Sequence, residues 1–458
     1  MSHLEESDEG IESFDEEIER MRVLGYDTEK KESKTKKTNV KVIAKNLEKF
    51  TSLKIGNITM KDSLQFLPSS LDKLVSNLVK EDKTNSLENL KKTFPETYKF
   101  FIEKKKEIDE KFQITLSENS FRLLTRKGVY PYEYMDSFEK FHEGLPKKEE
   151  FYSKLTRKHI TKRDYDHVKE LWREFKMESL NDLHNLYMET DVMLLTDIFE
   201  KFREKELSTY GLDPAHFLTA PSLTWSAGLK FTGVTLELIT DLDISMFIDQ
   251  ALIGGISVIT HPYANIEGNN GFIFYCDANN LYGWAMRQYL PTGEFKWLTS
   301  QEIKKWTMEK ILSQKNEQCH GFFFEVDLDY PEELHDKHNN YPCAPEKITV
   351  EFSELSEQQQ AYAKDSNIKP SEKLHLTLRN KKNYILHYRN LQQYLKLGLI
   401  LKKIHKILQF DQSPWLKGYI DYNTDLRKKA QSAFEKAMVK LMNNAFYGKV
   451  NIKINDYI

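Results

Sequence analysis

The clearest periodic signal in the chain is Leu183, Leu186, Leu194, Leu195, Ile198, Phe199 and Phe202, which recur at helical spacing and predict a long helix ending before Gly211 and Pro214. Upstream, Ser63-Leu64-Gln65-Phe66-Leu67, the breakers Pro68-Ser69-Ser70 and the run Leu71 to Leu78 read as strand, turn and capped helix. Residues 80–180 read as mostly helical with charged surfaces. Asp241, Asp243 and the pair Gly254-Gly255 mark a linker, and Gly268-Asn269-Asn270-Gly271 a tight turn. Phe272 to Cys276 is a continuous apolar run, as in a fully buried strand. From Ser371 the chain reads as mainly helical. Its last helix is expected to start near Asn423-Thr424-Asp425 and to end at Gly448. Residues 1–60 carry few apolar residues at any period and read as a disordered charged tail. The expected division is therefore that tail, a domain over 61–245 and a second over 250–458.

Composition narrows the class. The 458 residues leave room for two or three domains. With 40% hydrophobic and 30% charged residues the chain is not disordered as a whole. Cys276, Cys319 and Cys343 form no CxxC pair, which argues against a disulfide scaffold and a zinc ribbon. The longest apolar candidate, Leu391 to Ile407, is broken by Lys396, Lys402 and Lys403, so no membrane partner is expected. The acidic start does not read as a signal peptide. The expectation is a soluble intracellular protein of the nucleus or cytoplasm.

Net charge is 67 − 70 = −3, but the charge is unevenly placed. Glu5 to Glu19 holds nine acids and no base. Lys369 to Lys406 holds ten Lys/Arg against Glu372 and also carries Tyr384, Tyr388 and Tyr394. Basic side chains interleaved with aromatics suit a nucleic-acid backbone and its bases, with Lys381, Lys382 and Arg389 as candidate DNA contacts. A solvated helix face is the alternative.

Three constellations carry candidate chemistry. Asp277 follows the apolar run and precedes the turn Ala278-Asn279-Asn280. A carboxylate there could hold Mg²⁺ with substrate phosphates, or it could simply cap the turn. Lys440, Asn444 and Tyr447 fall at i, i+4 and i+7, on one helix face, with Lys429 eleven residues earlier. That stripe suits a triphosphate, with Lys for the phosphates and Asn and Tyr for base and sugar. An exposed helix face is the alternative. Tyr187 and Asp191, at i and i+4, point the same way; such a pair could orient a water against a phosphodiester, or it could simply be a partly buried Tyr beside a solvated Asp.

Taken in order, Tyr187–Asp191, Gly254-Gly255, Asp277-Ala-Asn-Asn-Leu281-Tyr282 and Lys440-Leu-Met-Asn-Asn444-Ala-Phe-Tyr447-Gly448 resemble the motifs of family B DNA polymerases. The likeness is to the protein-primed branch of phages, linear plasmids, adenovirus-like viruses and Polinton-type mobile elements, and covers roughly residues 60–458. Asn280 stands where the first polymerase motif (motif A) usually has Ser, and Ala445 where the second (motif B) does.

The resemblance implies an α/β (α+β) fold: a partial RNase H-like exonuclease domain, then an incomplete right-hand palm with helical fingers. It implies template-directed addition of dNTPs to a primer-template by two-metal phosphoryl transfer. Asp277 and the carbonyl of Ala278 would hold Mg²⁺. Tyr282, beside Leu281, would exclude a ribose 2′-hydroxyl. Lys440, Asn444 and Tyr447 would bind the nucleotide, and Gly254 and Gly255 would approach the template. Asp191 would be an exonuclease metal ligand beside Tyr187. The interval 440 − 277 = 163 residues leaves room for a subdomain gripping a terminal-protein primer.

The chain departs from the family pattern. No Asp-Thr-Asp motif follows Gly448, and Asp327-Leu-Asp329 lies on the wrong side of Lys440. Asp15-Glu16-Glu17 sits in charged tail, Tyr165-Asp166 lacks its partner Asn, and Ile253 stands where relatives often have Arg. The expectation is a fragment of a mobile-element or viral polymerase with weak or no activity. The alternative is an inactive remnant that binds DNA or nucleotide.

Overall fold

The computed structural model describes residues 40–450 apart from 47–48, 82–85, 262 and 267–270. The acidic run Glu5–Glu19 and the turn at Gly268 fall outside these residues.

The chain divides at Asp62 into two compact units. In the first, residues 40–61 are not a featureless tail. Strands β1 (Val40–Asn46), β2 (Lys49–Ile55) and β3 (Ile58–Lys61) form an antiparallel sheet in that order. Ile55 pairs with Ile58 across a two-residue turn, and Gly56 takes the positive φ (59°) that the first central position of a primed hairpin turn requires. Interspersed lysines (Lys41, Lys49, Lys54, Lys61) mask the alternation of Val and Ile.

The second unit begins at Ser63. Ser63–Gln65 is a 3₁₀ turn, not a strand, and it delivers both Phe66 and Leu67 into the core. The helix Leu71–Glu81 follows as expected. The long helix spans Leu180–Tyr210, starts in a Ser179/Asp182 capping box and ends at left-handed Gly211 (φ 63°). Between residues 63 and 245 the described residues form helices and turns; the only β pairing among them is the bridge Ser153–Lys158.

From Ser371 the chain holds three helices, Tyr388–Lys396, Lys417–Lys429 and Ala433–Val450, but the segment before Pro414 also contributes strands that the helical reading did not include. β4 (Leu290–Trp297), β5 (His320–Asp329), β8 (Lys381–His387) and β9 (Ile400–Ser413) form an antiparallel sheet in the order β4-β9-β5-β8. Strands β6 (Glu346–Thr349) and β7 (Glu372–His375) form a separate pair. The misreading has a local cause. Val326 pairs with Ile404 and Phe324 with Ile407, so one residue of β9 is extra. Such a bulge puts residues three apart on one face and imitates a helical period. Ile404 and Ile407 accordingly join the same apolar cluster.

Phe272 to Cys276 forms no strand. Phe272 is 81% and Tyr275 90% exposed, and no described strand pairs with the segment. A strand needs a hydrogen-bonded neighbour, and apolar composition does not supply one.

The last helix is Ala433–Val450, capped by Ser432, whose Oγ accepts from the Glu435 N–H at 3.0 Å. Asn423-Thr424-Asp425 instead lies inside the preceding helix, Lys417–Lys429, where Asn423 is wholly buried. The largest apolar cluster runs from Phe66 through Leu183 and Phe202 to Tyr419 and Phe446. Helices from the expected 61–245 domain and from the expected 250–458 domain therefore share one core. Gly228 on the helix Ala220–Thr232 lets Phe446 approach; a Cβ there would sit 2.4 Å from that ring.

Candidate nucleotide site

The turn after Asp277 is built around Asn280, which adopts the left-handed conformation (φ 55°, ψ 45°) and starts the short helix Leu281–Met286. Its amide folds over Gly283, where a Cβ would lie 2.3 Å from Nδ2. Arg287, just past this helix, pairs with Asp421 at 2.6 Å and so ties it to the helix Lys417–Lys429.

The helix Ala433–Val450 buries Phe434, Met438, Met442 and Phe446 against the large core. That leaves Lys440, Asn444 and Tyr447 exposed on the opposite face, as the spacing predicted.

The two elements meet at one cavity of about 780 Å³. Asp277, Ala278, Leu281 and Tyr282 line it from the first side, and Lys440, Asn444 and Tyr447 from the second. The rings of Tyr282 and Tyr447 stack at 4.2 Å between centroids. Gly255 reaches the wall, whereas Gly254 is not among the lining residues. Lys429 is not a lining residue either; Arg427, two residues earlier on the same helix Lys417–Lys429, takes that place. Arg427 and Lys440 against Asp277 leave the wall with a surplus of positive charge suited to an anion. Arg427 and Asn443 were missed from sequence. For Asn443 the available signal was an amide on the apolar face of the helix.

Asp277 is the single carboxylate among the described lining residues, and the described residues hold no group of three or more His, Cys, Asp or Glu placed to hold a metal ion. One carboxylate with the Ala278 carbonyl does not make up the donor set of a two-Mg²⁺ centre. Asp327, on β5, accepts from the Asn383 N–H at 2.9 Å and faces His405; neither it nor Asp329 lines the cavity.

Tyr187 and Asp191 line a second cavity of about 730 Å³ with Lys127, Tyr130, Tyr132 and His184. Tyr187 bonds to the Tyr132 hydroxyl and stacks on Tyr130 at 5.1 Å. Burial, and then the Tyr132 hydrogen bond, raise the Tyr187 phenol far above its usual range. Burial also raises the Asp191 carboxyl, although Lys127 lies 3.6 Å away. Asp166 is on another surface, paired with Lys169 at 2.7 Å.

The basic block resolves differently from its reading in the sequence. Lys381 is 1% exposed, held by Glu346 at 2.5 Å and by Thr377. It is a core lysine and cannot reach a DNA backbone; burial lowers its pKa. Tyr388 is buried, and Tyr384 is half-buried against the apolar cluster of the sheet with its hydroxyl donating to the Pro345 carbonyl at 2.9 Å. Lys402 pairs with Asp329 and Lys406 with Glu325 across the sheet. Lys382 is exposed and Arg389 half-buried.

The profile of the family described as DNA polymerase type B, organellar and viral, matches residues 31–458, and the chain belongs to that family. A search of curated proteins finds none that matches. Two solved structures of Phi29 DNA polymerase are similar. One is the ternary complex with primer-template DNA and incoming nucleotide substrates, at 15% identity and TM-score 0.40; it aligns over 89% of this chain and 53% of its own. The other is the post-translocation binary complex with primer-template DNA, at 14% identity and TM-score 0.41, over 91% and 54%. The chain thus spans about half the length of those proteins. Among the described residues no helix is long and apolar enough to cross a membrane.

Proposed function

We propose that the cavity between Asp277 and Lys440 is the incoming-nucleotide site of a template-directed DNA polymerase, with the helix Ala433–Val450 acting as the fingers and residues around Asp277 as part of the palm. One observation carries this reading: residues 163 positions apart (440 − 277) converge on one cavity with a cationic, an amide and an aromatic wall. Lys440 and Arg427 bind the triphosphate by charge-assisted hydrogen bonds. Tyr282 stands beside the sugar, and Asn444 and Tyr447 flank the base. The reaction class is attack of a primer 3′-hydroxyl on the α-phosphorus, with pyrophosphate leaving. The partners are dNTPs and primer-template DNA, with a terminal protein as a candidate primer. Lys382 and Arg389 are candidate backbone contacts.

A second reading is favoured by the lone carboxylate: the chain binds nucleotide and DNA without turnover. No step is assigned to a metal, because Asp277 alone does not complete the site. The cavity at Tyr187 and Asp191 is exonuclease-like in lineage, and hydrolysis is not proposed there.

The test is calorimetric titration of dNTP into the full chain, alongside primer extension. Binding that falls about tenfold in Lys440→Ala supports the site. Extension abolished by Asp277→Ala establishes polymerase activity, and binding with no extension selects the second reading. No nucleotide binding at all sinks both.

A further inference from the structure

One wall of the nucleotide cavity is fed by a buried polar chain. Asn443 is 6% exposed yet lines the cavity, one helical turn from Lys440 and one from Tyr447. Its Oδ1 accepts from Asn423 Nδ2 at 2.9 Å. Asn423, wholly buried, accepts in turn from the Tyr210 hydroxyl at 2.6 Å. The direction of the chain follows from its donors. The tyrosyl proton commits the Asn423 oxygen, so the Asn423 NH₂ donates. That commits the Asn443 oxygen and leaves the Asn443 NH₂ as the free end. Three buried polar groups are costly unless fully paired, and Asn443 is the member of the chain that lines the cavity. Tyr210 is the last residue of the long helix and touches no wall of the cavity.

We propose that Tyr210 and Asn423 are positioning residues that hold the Asn443 amide with its NH₂ toward the sugar oxygens of the bound nucleotide. The site lies between the phosphates on Lys440 and the stacked Tyr282–Tyr447 pair. This rests on the nucleotide-site reading above. The relay adds a determinant for the nucleoside part of the ligand, not for its triphosphate.

The test titrates dATP and, separately, inorganic triphosphate into the full chain, its Tyr210→Phe variant and its Asn443→Leu variant. Tyr210→Phe deletes one hydroxyl and leaves the ring packing in place. The expected result is a roughly three- to tenfold loss of dATP affinity in both variants with triphosphate affinity unchanged. Unchanged dATP affinity in Tyr210→Phe would overturn the proposal and leave a purely structural network. Equal losses for dATP and triphosphate would also overturn it, since they report a distorted pocket. If the unaltered chain binds neither ligand, the nucleotide-site reading falls first and this one with it. If it binds triphosphate but not dATP, the cavity is a polyphosphate site and both readings fall; dATP binding that Tyr210→Phe leaves unchanged overturns this proposal alone.

Discussion

The rings of Tyr282 and Tyr447 stack at 4.2 Å and 26°, although 447 − 282 = 165 residues separate them in the chain. An aromatic pair of this kind contributes about 0.5–1.5 kcal/mol beyond the area it buries. Here it also closes the sugar side of the proposed site. Tyr282→Ala is expected to reduce any preference for dATP over ATP by up to about tenfold, read by parallel titrations. An unchanged ATP/dATP ratio would remove Tyr282 from the role of sugar gate.

Neighbouring lysines on β8 should behave oppositely. Lys381→Ala leaves the half-buried Glu346 and the Thr377 hydroxyl without their cation and is expected to cost roughly 1–3 kcal/mol in denaturant unfolding. Lys382→Ala should leave stability within about 0.5 kcal/mol. If Lys382 contacts a phosphate, its loss lowers the salt slope of primer-template binding by about 1. A fluorescence anisotropy series over salt concentration reads that slope. A Lys381 variant as stable as the unaltered chain would contradict the ion pair described above.

Close approach at Gly228 predicts overpacking. Gly228→Ala drives a methyl against the Phe446 ring and is expected to destabilise by about 1–3 kcal/mol. Thermal unfolding measures this, and a melting point at or above that of the unaltered chain would show that the two helices part without cost.

Glu206 predicts a pH dependence. It is 2% exposed, and burial pushes its carboxyl up to about 8 from 4.5. The folded state therefore holds the proton after the unfolded chain has released it. Stability from this group is complete below pH 4.5 and is lost as pH rises toward about 8. Its slope approaches about 1.4 kcal/mol per pH unit inside that window. Glu206→Gln should remove that component from a pH series of urea unfolding midpoints. Identical slopes for variant and unaltered chain would mean that Glu206 is already charged in the folded state.

Sequence alone determined the elements whose signal is local. The long helix follows from its apolar period and the stop at Gly211. The single face holding Lys440, Asn444 and Tyr447 follows from 3.6 residues per turn. Family membership was legible for the same reason, since its motifs are short and contiguous. Tertiary structure decided whatever depends on a distant partner. It turned the Ile404–Ile407 spacing from helix to bulged strand by pairing it with β5. It left Phe272–Cys276 unpaired and exposed, and moved Lys381 from a surface patch to a buried position paired with Glu346. It also replaced Lys429 with Arg427 in the cavity and placed Asn443 at the end of a chain from Tyr210. Hydrogen-bond partners, burial and cavity walls are properties of residue pairs far apart in the chain, and periodicity along one segment carries no information about them.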